Sequence, residues 1–166
     1  MSIQQDYNAL KSNAFNFVLS RIPETAFRVT ACNLPSIYIP TPEEQPPGIL
    51  QSWSGTDSRF EELTIKFIVD ENMRNYRELY NWITMQRYAA RTNVVAPQFL
   101  EADLYSDGAL ITLTNASNPN IVFSFKNMFP VSIGELSFDT TDTVTQISCQ
   151  VVFRYSYFTM SDEVVQ

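Results

Sequence analysis

The chain opens polar and becomes regular at Ala14. Phe15, Phe17 and Leu19 alternate with Asn16, Val18 and Ser20, the period of two that sends successive side chains to opposite faces of a strand. Residues 21–25 include Pro23 and read as a turn. Phe27, Val29 and Ala31 then alternate with Arg28, Thr30 and Cys32, which predicts a second strand paired antiparallel with the first. Leu63, Ile65, Phe67 and Val69 alternate with Glu62, Thr64, Lys66 and Ile68, a further strand. The period then changes. Met73, Tyr76, Tyr80 and Ile83 recur at helical spacing with Leu79 beside them, and Arg74, Arg77, Glu78, Asn81 and Gln86 cover the other side. An amphipathic helix is predicted over 72–88, with Tyr76, Tyr80 and Ile83 toward the strands. Asp70 or Asn72 is placed to cap it, and Glu71 to favour its positive end.

The second half reads as strands again. Residues 110–114 and 121–126 flank a turn holding Asn115, Asn118, Pro119 and Asn120, a hairpin signal. Another strand is predicted over 131–138. The longest runs over about 145–158, with Ile147, Cys149, Val151, Phe153, Tyr155 and Tyr157 on one face. That exceeds the usual strand length, so it should bend or project. Residues 34–48 break the pattern with Pro35, Pro40, Pro42, Pro46 and Pro47; each proline removes a ladder donor, so this is an extended loop and not central sheet. Residues 49–53 read as a short strand, and 92–104 are poorly patterned. The expected organisation is one domain over 1–166, with an N-terminal arm (1–13), a long proline-rich loop (35–58) and a short acidic tail (159–166). The fold class is mainly β in an α+β arrangement: an antiparallel β-sandwich or barrel with one flanking helix.

Composition narrows what such a fold can do. The chain has 166 residues, 45% of them hydrophobic, and a net charge of −7. An acidic chain is poorly suited to gripping nucleic acid. It has no histidine, which removes imidazole bases, Ser-His-Asp triads and imidazole metal ligands. Cys32 and Cys149 sit in strand-like runs and read as buried small hydrophobes. The start of the chain is polar, without a signal-peptide pattern, and no apolar run approaches the roughly 18 residues of a membrane span. Synthesis in the cytoplasm, with no membrane association, is the expectation. The neighbouring acids Asp70–Glu71, Glu43–Glu44 and Asp139–Asp142 fall at loops and helix ends and read as solvated turn and capping residues. Asp139 to Asp142 lacks a full calcium loop. There is no glycine-rich phosphate loop. No catalytic, cofactor or metal site is specified, and no cofactor is expected.

The order of elements resembles the tail tube protein family of contractile-tailed bacteriophages. Four segments carry the likeness: Phe27 and Val29 leading into Ala31, Cys32, Asn33, Leu34 and Pro35; residues 60–71 entering a helix with Tyr76, Leu79, Tyr80, Trp82 and Ile83; Phe129–Pro130 followed by Ile133, Gly134, Glu135, Leu136, Ser137 and Phe138; and the closing strand through Val151, Phe153, Tyr155 and Tyr157. The resemblance implies a hexameric ring to which each subunit adds strands of a continuous inner barrel, with rings stacking into a channel. It implies the tail of a virion as location, assembly in the host cytoplasm, and as partners further copies of the chain, a sheath protein, a baseplate initiator, a tape measure and a tail terminator. DNA would pass without specific binding. A baseplate tube-initiator ring or the tube of a related contractile injection system is an alternative of the same fold. A carbohydrate-binding β-sandwich is a remoter one, suggested only by the aromatic content.

Two sets of residues follow as candidates. Ile37, Tyr38, Ile39, Ile49, Leu50 and Trp53 supply apolar anchors for contacts between copies. Glu62, Thr64, Gln146, Ser148 and Gln150, with Lys66 and Arg154 as partial offsets, are candidates for an acidic-to-neutral channel wall. The prolines of the long loop limit the entropy lost when it docks. Deleting residues 42–48 is therefore expected to block ring stacking while leaving the subunit folded; tubes of normal length from that deletion, seen by negative-stain microscopy, would refute the contact role.

Overall fold

The alternating segments form the strands of an antiparallel sheet in the computed structural model, which describes residues 9–22, 28–40, 58–91, 104–114, 119–141 and 146–162, with helical side chains described through Gln86. The strands are β1 (Phe15–Leu19), β2 (Val29–Asn33), β3 (Ile37–Tyr38), β4 (Arg59–Phe60), β5 (Leu63–Ile68), β6 (Ser106–Thr112), β7 (Ile121–Ile133), β8 (Ser148–Arg154) and β9 (Tyr157–Asp162). The helix α1 spans Arg74–Arg91. Residues 41–57, 92–103, 115–118 and 142–145 lie outside the described set, so the short strand expected at 49–53 and most of the turn between β6 and β7 do too.

Seven strands follow the order β1-β6-β7-β8-β5-β2, with β9 on β7. They form two layers. Sheet A is β1-β6-β7-β9 and sheet B is β7-β8-β5-β2. β7 belongs to both: residues 121–126 pair with β9, and 129–133 pair with β8. The pairs Ile121↔Asp162, Lys126↔Tyr157 and Phe129↔Arg154 keep one constant offset. β7 and the β8–β9 run are thus a single long hairpin ladder bent in the middle. The bend falls at Asn127, whose φ is 54°, opposite Tyr155 and Ser156. Asn127 Nδ2 donates to Ser156 Oγ (3.3 Å), and the Asp107 carboxylate accepts from Lys126 Nζ and from the Asn127 amide.

This ladder corrects several expectations. The predicted strands 121–126 and 131–138 are one strand that ends at Ile133, because Pro130 is accommodated at a register shift and does not stop it. The long closing strand does bend, at Tyr155–Ser156, and then continues to Asp162, so residues 159–162 belong to β9 and not to a tail. Beyond the bend the inward parity changes: Tyr157 is exposed while Phe158 packs inward. β1 and β2 are not paired. β1 joins β6 and β2 joins β5, at opposite ends of the strand order. A bulge between Val29 and Ala31 turns Val29 and Cys32 inward and Ala31 outward. β6 starts at Ser106, earlier than the predicted 110. Its Gly108 packs where an added Cβ would stand 2.5 Å from Met128 Sδ.

The core lies between the layers: Phe17, Leu19, Ile65, Phe67, Leu110, Phe125, Val151 and Phe153 from the strands, and Leu79 and Trp82 from α1. Helical spacing was correctly read, but its buried face was misplaced. Asn75, Leu79 and Trp82 are buried, Tyr76 packs partly against the core, and Tyr80 is 55% exposed. Trp82 is 0% exposed; its Nε1 donates to the Leu104 carbonyl at 2.8 Å, its ring lies 6.0 Å from Phe153, and the Arg21 guanidinium stands 5.1 Å from its centre. The helix start is also held differently from the expected cap. Asp70 forms an ion pair with Arg28, and Asn75 ties the end of β5 to the first turn, donating to the Ile68 carbonyl at 2.8 Å and accepting from the Asp70 amide at 3.2 Å.

Removing a fully buried Trp costs about 3–5 kcal/mol. Trp82→Ala should therefore destabilise the subunit by that amount in urea unfolding, and Tyr80→Ala by less than about 0.5 kcal/mol. Equal effects would mean the helix is rotated relative to this packing.

Candidate inter-subunit and channel surfaces

One face of sheet B is core, and the other is uncovered among the described residues. Leu63, Ile65 and Phe67 on β5 and Cys149, Val151 and Phe153 on β8 point inward. Their neighbours point out and lie in register: Lys66 beside Gln150, Thr64 beside Val152, Ile68 beside Ser148, with Asn33 beside Thr64 and Ser132 beside Val152. The structure thus brings Thr64, Ser148 and Gln150, with Lys66, onto one face. Glu62 lies just before β5, where it accepts from Arg154 Nε at 2.8 Å. Gln146 precedes β8 and is exposed but off the ladder.

This surface is mainly amide and hydroxyl in character, with Val152 and Ile68 partly exposed among those groups. Its described carboxylate, Glu62, is engaged by Arg154, which leaves Lys66 as a cation. The outer face of sheet A is more apolar, with Val18, Ala109, Ile111 and Val122 among its outward positions.

Both edges of sheet B are open among the described residues. β2 has β5 on one side only, and residues 129–133 of β7 have β8 on one side only, because β6 stops opposite Met128. Unpaired edges are templates for further strand pairing.

Beside the Leu63 end of this sheet, β3 and β4 make a two-stranded outcrop, with Ile37 opposite Phe60 and Tyr38 opposite Arg59. The extended loop expected from residue 34 onward thus contains a short strand. Phe60 fastens the outcrop to the body through an aromatic cluster, with ring centres 6.0 Å from Tyr155 and 5.5 Å from Phe158; Phe125 joins at 5.1 Å from Tyr155. The outcrop is rich in open apolar surface: Leu34, Ile37, Tyr38 and Ile39 are all exposed. Of the six predicted contact residues, Ile37, Tyr38 and Ile39 are brought together here, while Ile49, Leu50 and Trp53 lie outside the described residues. Sequence reasoning missed Phe60, Phe125, Tyr155 and Phe158 as one cluster; only the aromatic content hinted at it.

An open groove lies between the outcrop and the sheet, lined by Tyr38, Phe60, Glu61, Glu62, Arg154 and Tyr155. Burial, and secondarily the nearby Glu61 charge, push the Tyr155 phenol up to about 12, so it is a neutral hydroxyl across the physiological range. Its oxygen is buried and without a hydrogen-bond partner among the described residues. The cysteines are both free; burial pushes the Cys32 thiol up to about 12 and raises that of Cys149, so neither is a nucleophile at neutral pH. No group of three or more His, Cys, Asp or Glu residues that can hold a metal occurs among the described residues.

At the bend, the hydrogen bond from Lys126 holds the Asp107 carboxyl below its ordinary value, and Asp107 in turn raises Lys126. A depressed carboxyl adds stability above its unfolded value and loses it as pH falls through the folded one. A raised ammonium adds stability below its unfolded value, near 10.5, and loses it as pH rises through the folded one. Thermal midpoints of Asp107→Asn should therefore lie below wild type near neutral pH and converge with it as pH falls well below the ordinary aspartate value of 3.8. A difference independent of pH would show that the ion pair does not hold the bend.

The comparisons agree with this architecture. A protein-family model described as phage tail tube protein matches residues 7–161. A comparison with curated proteins finds no match. Among solved structures, a chain of the PVC extracellular contractile injection system, in its sheath–tube complex in the extended state, is 16% identical with a TM-score of 0.67, covering 98% of this chain and 99% of that one. A chain of the anti-feeding prophage tube-terminating cap is 18% identical, with a TM-score of 0.63 and coverages of 98% and 100%. Hcp1 from Flavobacterium johnsoniae is 13% identical, with a TM-score of 0.52 and coverages of 90% and 96%.

Proposed function

Because the chain belongs to the phage tail tube protein family, we propose that it is the repeating subunit of a hexameric ring, and that these rings stack into the inner tube of a contractile tail. The observation that carries this reading is sheet B: two strand edges without ladder partners among the described residues, bounding a face that is polar and uncovered. Joining the β2 edge of one copy to the β7 edge of the next satisfies both edges and closes a barrel. Four strands from each of six copies, at about 4.8 Å per strand, give a circumference of about 115 Å and a backbone diameter of about 37 Å before strand tilt widens it. Side chains take about 5 Å from each wall, half the spacing of packed sheets, leaving a lumen that admits duplex DNA.

The polar face of sheet B is then the channel wall, with Thr64, Ser148 and Gln150 in its rows. The tube is a passive conduit inside a contracting sheath, and its other partners are a baseplate initiator, a tape measure and a terminator. The particle is assembled in the host cytoplasm. No step of catalysis enters this mechanism. A second home, the tube of an extracellular injection system, is supported by the likeness in fold to the PVC chain.

Electron microscopy of the purified protein separates the readings: tubes, single rings and monomers point to a tube subunit, an initiator ring and a binding module. Hydrogen–deuterium exchange tests closure directly. On assembly the amides of β2 and of residues 129–133 should gain protection, while core amides of β5 should not change. Unchanged exchange at both edges would overturn the shared barrel.

The wall also sets how the tube treats its cargo. Phosphates released from counterions by clustered Lys or Arg bind tightly and with steep salt dependence. This wall offers amides, hydroxyls, an engaged Arg154 and Lys66. Assembled tubes should not retain duplex DNA at physiological salt; weak retention is expected at low salt, and Lys66→Gln should reduce it. Tight retention at physiological salt would overturn the non-adhesive wall.

A further inference from the structure

We propose that Phe138 is an axial plug: it inserts into the groove formed by Tyr38, Phe60 and Tyr155 on a second copy of this chain in the adjoining ring. The inference rests on the tube reading above and names the contact that would carry its stacking.

Three observations converge. First, Phe138 is 72% exposed, the most exposed large hydrophobic side chain among the described residues. It stands on a fixed loop. Leu136 packs against the core, the Gly134 amide donates to the Gln150 carbonyl, and Asp139 Oδ1 accepts from the Thr141 amide (2.8 Å) and hydroxyl (2.7 Å). An aromatic ring presented on a preorganised loop loses little entropy on docking.

Second, the groove is open and carries the rings of Tyr38, Phe60 and Tyr155 together with Glu61, Glu62 and Arg154, and the Tyr155 hydroxyl in its lining is buried without a partner among the described residues. A buried hydroxyl of this kind is costly until something reaches it. A backbone group flanking the inserted ring can do so. Arg59, exposed at the rim on β4, suits the carboxylate of Asp139, whose Oδ2 is not used by the Thr141 contacts.

Third, the groove and the start of the loop that carries Phe138 lie toward opposite ends of the same sheet. The β5–β8 ladder runs from Leu63↔Phe153 to Ile68↔Ser148, about 17 Å at roughly 3.3 Å per residue. The groove adjoins the Leu63 end. The loop leaves β7 opposite Gln150 and continues toward the Ser148 end. A knob joined to a socket on the next copy is a heterologous contact, which propagates as a filament where its rotation does not close a ring. The same exposed apolar residues that would be a liability on a monomer are then consumed once per ring.

The test uses the full chain. Phe138→Ser changes an exposed side chain, so the subunit should fold and form rings. Tubes should be lost at concentrations where wild type polymerises, read by sedimentation and negative-stain microscopy. The chain carrying both Asp139→Cys and Arg59→Cys, which keeps Phe138 and the rings of the groove, oxidised at pH 8, should give a ladder of covalent oligomers longer than one ring, and either single variant should give none. The native Cys149 is buried and the Cys32 thiol stays protonated at that pH, so they do not contribute to the ladder. Wild-type tube yield from Phe138→Ser, or tubes of the double variant that do not cross-link, would overturn the plug. So would cross-links confined within single rings, which would make the contact lateral. Wild-type protein that forms neither rings nor tubes would instead refute the tube reading itself.

Discussion

One antiparallel ladder holds this fold together, the bent hairpin between β7 and the β8–β9 run. Its constant register from Ile121↔Asp162 to Phe129↔Arg154 means that both layers of the sandwich are tied to the same pair of strands. Bending it at Asn127 requires a backbone with positive φ, which is unusual for a residue other than glycine, although Asn tolerates it better than most. The bend is stabilised by hydrogen bonds from Lys126 and Asn127 to Asp107 across to β6. The core then fills the angle between the two halves: Phe125 on the sheet A side of the bend and Phe153 on the sheet B side are both fully buried.

The bend also creates the open edges. β6 covers β7 only as far as Met128, so past the bend one side of β7 is left bare. At the other end of the order, β2 is bare because β1, its neighbour in sequence, is committed to β6. A flat sheet would have placed its two free edges far apart at the ends of one layer. Folding the sheet through a shared hairpin puts two of them on the borders of sheet B, where a neighbouring copy can complete both without altering the core. Geometry that is internally consistent within one subunit thus leaves a surface that is satisfied only by repetition.

Much of this was legible from period alone. The alternation of Leu63, Ile65 and Phe67 and of Cys149, Val151 and Phe153 gave the two central strands of sheet B and their inward faces correctly. The resemblance in the order of elements led to the right family. What failed did so for tertiary reasons. Local spacing cannot tell which of two apolar stripes on α1 meets the core; Trp82 won over Tyr80 because Phe153 and the Leu104 carbonyl are there to receive it. Pro130 reads as a breaker, yet it sits at a register shift where the missing donor is absorbed. Pairing of β1 with β2 is the shortest solution in sequence and was displaced by longer-range ladders. Of the candidate surfaces, polar alternation found Thr64, Ser148 and Gln150, whereas the aromatic cluster is assembled from β4, β7, the bend and β9, segments that no local pattern links.

The placement of charge follows from the same architecture. A face that lies against a moving polyanion works best with groups that hydrogen-bond weakly and exchangeably with water, and one that must hold a neighbour works best with apolar groups and rings. Sheet B separates these demands by direction. Its outward rows carry Thr64, Lys66, Ser148 and Gln150 with Val152 and Ile68 among them, its core rows carry the aliphatic and aromatic residues that make it stiff, and the outcrop beside it carries the exposed Ile37, Tyr38 and Ile39. Described carboxylates such as Glu61, Glu71, Glu135 and Asp139 lie off the sheet B ladder, where their mutual repulsion is screened by water. Within sheet B a single alternating strand pattern thus supplies both a stiff core and an open face, the two things that the proposed tube asks of its wall.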